Sequence, residues 1–319
     1  MKIQLEAYAK INLTLDVGKV REDGMHPVDM IMQIISLKDM VSVEIVPGEA
    51  AASGLMTVLG TKINIEGNSP AIPRDESNLA FKAAKIILEE FKPKDISEVN
   101  IYIEKNIPIA AGLAGGSGNG GAVLHGLNAL LNLDLSMEEL CRLGERLGSD
   151  VPFSMLGQAK GNTNLPEKIQ EKGAYAARAT GTGTLLEPCT PLDAWVLISK
   201  PSIGVSTKEV YEGIDEFFIA RRPNNQVALK ALNDNNMDDL RSNMINVLEN
   251  YTLEVKSQVA FLKDDMLNLC DGALKVLMSG SGPTIFAIFK DEKDSKAAYE
   301  KLRNKLSQEY VVELCHTMI

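Results

Sequence analysis

Cysteine, aromatic residues and long apolar runs are all scarce in this chain. Its 319 residues include four cysteines, one tryptophan and 5% aromatic residues. Cys141, Cys189, Cys270 and Cys315 lie far apart with no paired spacing, which excludes a zinc framework and predicts reduced thiols. No run approaches the ~18 apolar residues of a membrane span, so no membrane association is expected. The opening Met1-Lys-Ile-Gln-Leu-Glu has no basic and apolar leader region, and a cytoplasmic location is predicted. Positive charge is also in deficit. A formal charge of -10 argues against nucleic acid or an acidic membrane surface as the main partner, while leaving room for a local basic pocket that holds a phosphorylated ligand.

Hydrophobic residues, at 45% of a chain of 319, are sufficient for two cores, because single cores stop growing near ~250 to 300 residues. Glycine is concentrated in one place. The run Pro108-Ile-Ala-Ala-Gly112-Leu-Ala-Gly115-Gly116-Ser117-Gly118-Asn119-Gly120-Gly121 follows an alternating segment, Val99 to Ile103, and precedes a helical pattern, Val123 to Leu133. A glycine loop ahead of a helix lets backbone N–H groups approach an anion at the positive end of the helix dipole. The run is neither a P-loop, since no Gly-Lys-Ser/Thr follows, nor a Rossmann first turn. Glycine at this density is expensive before a helix, which implies that the backbone must approach something closely.

Alternation predicts strands over 2–8, 11–17 and 40–46, with turn chemistry from Arg21 to Pro27. A helix is predicted from Leu79 to Phe91, capped by Ser77 or Asn78 and stopped by Pro93. Another runs from a capping box at Ser136-Met-Glu-Glu139 to Leu147. The polar segment from Gly157 to Gly183 suggests a domain boundary near its start. Beyond it come a strand at Trp195–Lys200, a short helix at Ser206–Ile214 and two longer helices over about 224–249 and 251–270. Strands at Lys275–Ser279 and Thr284–Phe289 flank a turn, and a helix from Asp294 and a strand at 310–315 close the chain. Strands and helices in non-alternating order indicate an α+β architecture.

Three separated segments share small residues around a reactive or glycine-rich centre: Ala7-Tyr-Ala-Lys10-Ile-Asn12-Leu13, the glycine run, and Leu277-Met-Ser-Gly-Ser-Gly-Pro283. With Arg21-Glu-Asp-Gly24-Met25-His26 and Gly148-Ser149-Asp150-Val151-Pro152, they resemble the kinase superfamily of galactokinase, homoserine kinase, mevalonate kinase and phosphomevalonate kinase. Within it the chain is most similar to the branch acting on a cytidine diphosphate-linked methylerythritol, from residue 3 to about 290. The resemblance implies a two-domain small-molecule kinase fold. A ribosomal-S5-like ATP-binding domain would cover 1–158, with its phosphate loop at 108–121. A ferredoxin-like α/β sandwich would cover 159–319, with the tail 310–319 able to pack back on the first domain.

The activity so implied is ATP- and Mg²⁺-dependent phosphorylation of the tertiary hydroxyl of that polyol, in non-mevalonate isoprenoid precursor synthesis, by a monomer or homodimer. Lys10 and Asp150 would be catalytic: an ammonium stabilises charge on the transferred group, and a carboxylate accepts or orients the hydroxyl proton. Read without the resemblance, Lys10 is a solvated edge lysine and Asp150 a turn carboxylate. Asn12, on the same strand face as Lys10, would bind substrate together with Met25, His26 and Tyr211. Met25 replaces a base-stacking tyrosine, and Tyr211 is equally consistent with a partly buried helix residue. ATP would be held by Asn78, itself equally suited to an N-cap, and by Pro108, Ala110, Ala111, Gly112, Leu113, Ala114, Gly115, Gly116, Ser117, Gly118 and Asn119. Ser117 would be the metal ligand, Gly118 having replaced a second serine. Ser279–Pro283 is either a tight hairpin turn or a turn packed on the phosphate loop. Residues 160–178 exceed the family's usual length, as a surface insertion or a lid. A kinase with a different alcohol acceptor and a catalytically silent ligand sensor are the competing functions. His125, on a helix surface, and His316, in the tail, have no expected role.

Overall fold

Alternation at the start of the chain runs on through Ala9 and Lys10, so the strands expected over 2–8 and 11–17 are one. A computed structural model of the chain describes residues 1–22 and 24–319. Asp23, inside the Arg21-to-His26 motif, lies outside the described residues. β1 (Lys2–Val17) and β2 (Val28–Pro47) are 16 and 20 residues long and pair with each other. The chain divides into two compact units, the first made of Met1–Ala9, Leu37–Ile109 and Ala114–Ala174, the second of Lys10–Ser36, Ala110–Leu113 and Tyr175–Ile319.

In the first unit, β3 (Thr57–Val58) and β4 (Thr61–Gly67) form a short antiparallel hairpin. β4 lies parallel to β5 (Ile96–Glu104), and β5 is antiparallel to the later part of β2, with Met40 opposite Glu104. A parallel pair needs a crossover, which α1 (Leu79–Phe91) provides. Asn78 caps α1 by accepting from Ala80 N at 2.9 Å, and Lys92 ends it in the left-handed region at φ 45°, ahead of Pro93.

The next helix differs from expectation. α2 spans Gly115–Leu130, so most of the supposed loop glycines form its first two turns. Close packing explains several glycines of this helix. A Cβ at Gly121 would lie 2.8 Å from Met155 Cγ, one at Gly115 3.0 Å from Ile107 Cγ2, and one at Gly126 3.1 Å from Val43 Cγ2. His125 is fully buried on this helix rather than on its surface. α3 (Met137–Glu145) carries the capping box, with Ser136 and Glu139 satisfying each other's backbone N–H groups. α4 (Val151–Gly161) follows, then the single turn α5 (Glu167–Gln170).

The segment 160–178, expected as a surface insertion or a lid, is partly packed. Its first part is packed on the first unit through buried Leu165 and Ile169, with Asn162 Nδ2 donating to Glu6 O at 3.0 Å and Asn164 Nδ2 to Gln4 O at 2.8 Å. Its last residues open β6 (Ala176–Gly181) in the second unit. There β6 pairs with the early part of β2, Val28 opposite Gly181, and turns through Gly181 and Gly183, at φ 67° and 95°, into β7 (Leu185–Pro188).

The rest of the second unit is a four-stranded antiparallel sheet with helices. Its strands are β8 (Trp195–Lys200), β9 (Lys275–Met278), β10 (Ile285–Phe289) and β11 (Val311–His316), in the order β11-β8-β10-β9. β10 is buried along its whole length, as a central strand covered on both faces must be. α6 (Thr207–Ile214) begins at the cap Ser206. The two long helices expected next are four: α7 (Asn225–Asn233), α8 (Met237–Asn243), α9 (Glu249–Val255) and α10 (Ser257–Leu269). Asn235 turns left-handed at φ 53° and Asn236 caps a new helix. Between α8 and α9 the backbone leaves the helix to bridge β1, with Leu15 N donating to Ile245 O at 2.8 Å and Val247 N to Leu15 O at 2.9 Å. α11 (Glu292–Lys305) precedes the last strand. Beyond it, Met318 N donates to Ile34 O at 3.0 Å. Among the described residues no helix is long and apolar enough to cross a membrane.

Candidate active site

Lys10, Asn12 and Thr14 alternate on β1 and so share one face, yet all three are buried, Lys10 at 3% exposure. Lys10 is therefore not solvated. Its Nζ donates to Asn12 Oδ1 at 2.7 Å, and the same oxygen accepts from Gly280 N at 3.0 Å. Lys10 N donates to Leu113 O at 3.1 Å, tying the strand to the segment Ala110–Leu113. That segment is locked in turn to the 279–283 turn. Ser279 Oγ donates to Gly112 O at 2.9 Å, and a Cβ at Gly112, where φ is 72°, would lie 2.3 Å from Ser279 O. Ser279–Pro283 thus joins β9 to β10 as a tight turn and also packs on part of the glycine run.

Asn246 supports this turn from behind, its Nδ2 donating to Met278 O and Gly280 O at 2.8 Å each. Sequence reasoning missed Asn246, because its position follows from the bridge to Leu15 and not from any local pattern. Thr14 extends the polar row, donating to Asn225 Oδ1 at 2.6 Å, and Asn225 Nδ2 reaches Asp29 O at 2.8 Å.

Also in the second unit, His26 and Tyr211 meet with ring centroids 5.8 Å apart and a tilt of 58°. His26 Nδ1 lies 2.9 Å from Gly18 O, the geometry of an N–H donor at that nitrogen, and Nε2 lies 3.5 Å from Asp215 Oδ2. Met25 is 50% exposed beside them.

The first unit contains the start of α2. Ala114 precedes the helix in the left-handed region at φ 57°, and the first intrahelical bond runs from Gly118 N to Ala114 O at 2.8 Å. The N–H groups of Gly115, Gly116 and Ser117 therefore have no carbonyl within the helix, and no acidic residue occupies the first turn to compete for them. Gly116 is exposed, and a Cβ there would meet nothing closer than Leu79 Cδ1 at 3.8 Å. Gly116 is accordingly glycine without a packing reason.

Asn119 faces elsewhere. Its Nδ2 donates at 2.8 Å to Oδ2 of Asp39, a fully buried carboxylate that also pairs with Lys105 through Oδ2. Asp39 Oδ1 accepts from Asn106 N at 2.7 Å and Ile107 N at 2.8 Å. Burial draws the Lys105 ammonium below the ordinary lysine range, with Asp39 opposing. This network anchors the strand end and Asn119 at the approach to Pro108, and no sequence motif announced it.

Asn78 uses both polar atoms structurally, since Nδ2 donates to Pro73 O at 2.7 Å while Oδ1 caps α1. Asp150 is the half-buried N-cap position of α4. Its carbonyl accepts from Ser154 N and Oγ at 3.0 Å each, and its carboxylate does not cap its own helix.

Comparisons with known proteins bear on both units. The GHMP kinases N terminal domain matches residues 78–158 and the GHMP kinases C terminal domain residues 228–308. A 4-diphosphocytidyl-2-C-methyl-D-erythritol kinase of Clostridioides difficile (strain 630) is 40% identical over 311 residues, covering 97% of this chain and 94% of the relative. Its counterpart in Clostridium botulinum (strain Eklund 17B / Type B) is 41% identical over 303 residues, covering 95% and 96%. A crystal structure of 4-(cytidine 5'-diphospho)-2C-methyl-D-erythritol kinase superposes with a TM-score of 0.71 at 28% identity, over 98% of this chain and 99% of that one. A homoserine kinase from Cytophaga hutchinsonii, at 16% identity and a TM-score of 0.67 over 100% and 95%, shares the fold. Similarity that runs through both halves and nearly the full length leaves one assignment: the chain belongs to the GHMP kinases, in the branch of the 4-diphosphocytidyl-2-C-methyl-D-erythritol kinases.

Proposed function

We propose that the chain transfers the γ-phosphoryl group of ATP to the tertiary hydroxyl of 4-diphosphocytidyl-2-C-methyl-D-erythritol, in the cytoplasm, as a step of isoprenoid precursor synthesis. The alcohol oxygen forms the new bond to phosphorus, the bond from phosphorus to the β–γ bridging oxygen breaks, and ADP leaves. The placement of Lys10 is what carries this conclusion. Its ammonium is buried and aimed by Asn12, and its backbone holds Leu113, two residues ahead of α2. Such a cation, fixed before reaction, stabilises charge on the transferred group without reorganisation.

The N–H groups of Gly115, Gly116 and Ser117, unpaired within the helix, suit the phosphates of ATP, and Pro108 to Leu113 supply the approach. Asn119 serves by anchoring this segment through Asp39. Asn78, as the cap of α1, holds its backbone where an adenosine end could lie. Mg²⁺, when bound, would neutralise phosphate charge. Ser117 fits it as a hydroxyl donor at the helix start, the remaining ligands being phosphate oxygens and water. Among the described residues no group of three or more acidic, histidine or cysteine side chains forms a metal cage. Asp150 receives or orients the hydroxyl proton. His26 and Tyr211, with Met25, take the cytosine end of the acceptor.

A second acceptor is favoured only by Met25, which lacks the planar face that a tyrosine would offer a base. ADP release measured with 4-diphosphocytidyl-2-C-methyl-D-erythritol, mevalonate and homoserine separates the two. Turnover with the first alone is expected, and turnover with either of the others in its place would overturn the assignment. Lys10→Ala and Asp150→Asn should each abolish turnover while leaving the circular dichroism spectrum unchanged. Wild-type rates in either variant would remove that residue from the mechanism.

A further inference from the structure

The second unit contains a cavity of about 560 Å³ below β9, between the segment Arg241–Glu249 and α10. Met244, Leu274 and Leu277 give it an apolar floor. Arg221, Arg241, Lys263 and Lys275 line it against a single lining carboxylate, Glu249. Glu249 is already committed, pairing with Lys263 and accepting from Met278 N at 2.8 Å. Asp271, nearby in sequence, pairs with Lys301 at 2.7 Å.

Two of the other cations are held by backbone carbonyls. Arg221 Nη2 donates to Ser242 O at 2.7 Å and Lys275 Nζ lies 3.4 Å from Arg241 O. Burial lowers the Lys275 ammonium, Glu249 opposes, and Lys263, Arg221 and Arg241 lower it further. In a chain of net charge -10, cations gathered round an apolar hollow form a local excess that an anion would relieve.

We propose that this cavity binds a small organic phosphate or diphosphate with a short apolar body, the anion on Arg241 and Lys275 and the apolar part on Met244 and Leu277. The cavity adjoins the strand that leads to Lys10. Glu249 holds Met278 N, Asn246 holds Met278 O and Gly280 O, and Gly280 N holds the oxygen of Asn12 that accepts from Lys10. A ligand on Arg241 and Lys275 therefore sits in the same cavity as Glu249, the residue that holds the end of β9.

The test is calorimetric and reads no turnover, so its outcome is separate from the kinase assignment. Inorganic pyrophosphate and a short-chain alkyl diphosphate are titrated into the full chain saturated with a non-hydrolysable ATP analogue, which blocks phosphate binding at α2. The alkyl diphosphate should bind about tenfold more tightly than pyrophosphate, and Arg241→Gln and Lys275→Gln should each weaken it about tenfold or more. Arg241 is exposed, so its variant stands even if Lys275→Gln fails to fold. No binding, binding that both variants leave unchanged, or equal affinity for the two probes would overturn the proposal.

Discussion

A histidine with one satisfied nitrogen sits in the middle of α2. His125 Nε2 donates to Met155 O at 3.1 Å while Nδ1 is buried without a partner, so the ring is neutral. Burial drives its pKa down to about 4, the bond to Met155 opposing. The unfolded chain, with an ordinary histidine near 6.5, then binds the extra proton between about pH 6.5 and 4, and the folded chain does not. Stability is therefore full above that window and falls as pH drops through it. Denaturant titrations at pH 7 and pH 5 should differ by about 2 kcal/mol, and His125→Gln should remove most of the difference. Equal pH dependence in wild type and variant would show that other groups dominate. At the acceptor end, Met25→Tyr should lower KM for the cytidine substrate about threefold to tenfold with kcat unchanged, the worth of one aromatic stack. An unchanged KM would mean that residue 25 does not meet the base.

Among elements, the glycine-rich start of α2 combines close packing with the proposed phosphate contact, and substitution can separate the two. Gly121→Ala drives a methyl to 2.8 Å from Met155 Cγ and should cost about 1–3 kcal/mol of stability. Gly116→Ala meets no obstacle and should leave stability intact, yet raise KM for ATP about tenfold, on the scale of one hydrogen bond to phosphate. An unchanged KM would argue that phosphate does not approach Gly116. Elements whose signals are local were readable in advance: α1 with its cap and stop, the capping box of α3, and the hairpin of β9 and β10. α2 was expected to begin at Val123 because glycine is a poor helix former, and only packing against Met155, Ile107 and Val43 overrides that preference. β4 has a legible alternation of Thr61, Ile63 and Ile65, buried in step. The break of one long helix into α7 and α8 depended on Asn235 adopting a left-handed turn. At the candidate site, Lys10, Asn12 and the 279–283 turn were legible as motifs. Their supports, Asn246 and Asp39, were not, since each acts through residues distant in sequence.

At the scale of the whole molecule, the long strands β1 and β2 contribute residues to both units, so no single cut in the sequence separates them. The surroundings of Lys10 are assembled from remote stretches of chain: Ser279 meets Gly112 across 167 residues, and Gly280 meets Asn12 across 268. Loops of that length must close before these bonds return any free energy, whereas the helices need only local contacts. On refolding from denaturant, helical circular dichroism should therefore recover ahead of ADP-forming activity, and simultaneous recovery of the two signals would contradict this order. The bracket of Leu113, Gly112, Ser279, Gly280 and Asn12 around Lys10 thus makes the buried ammonium a late product of folding, one that partly folded chains already rich in helix have yet to put in place.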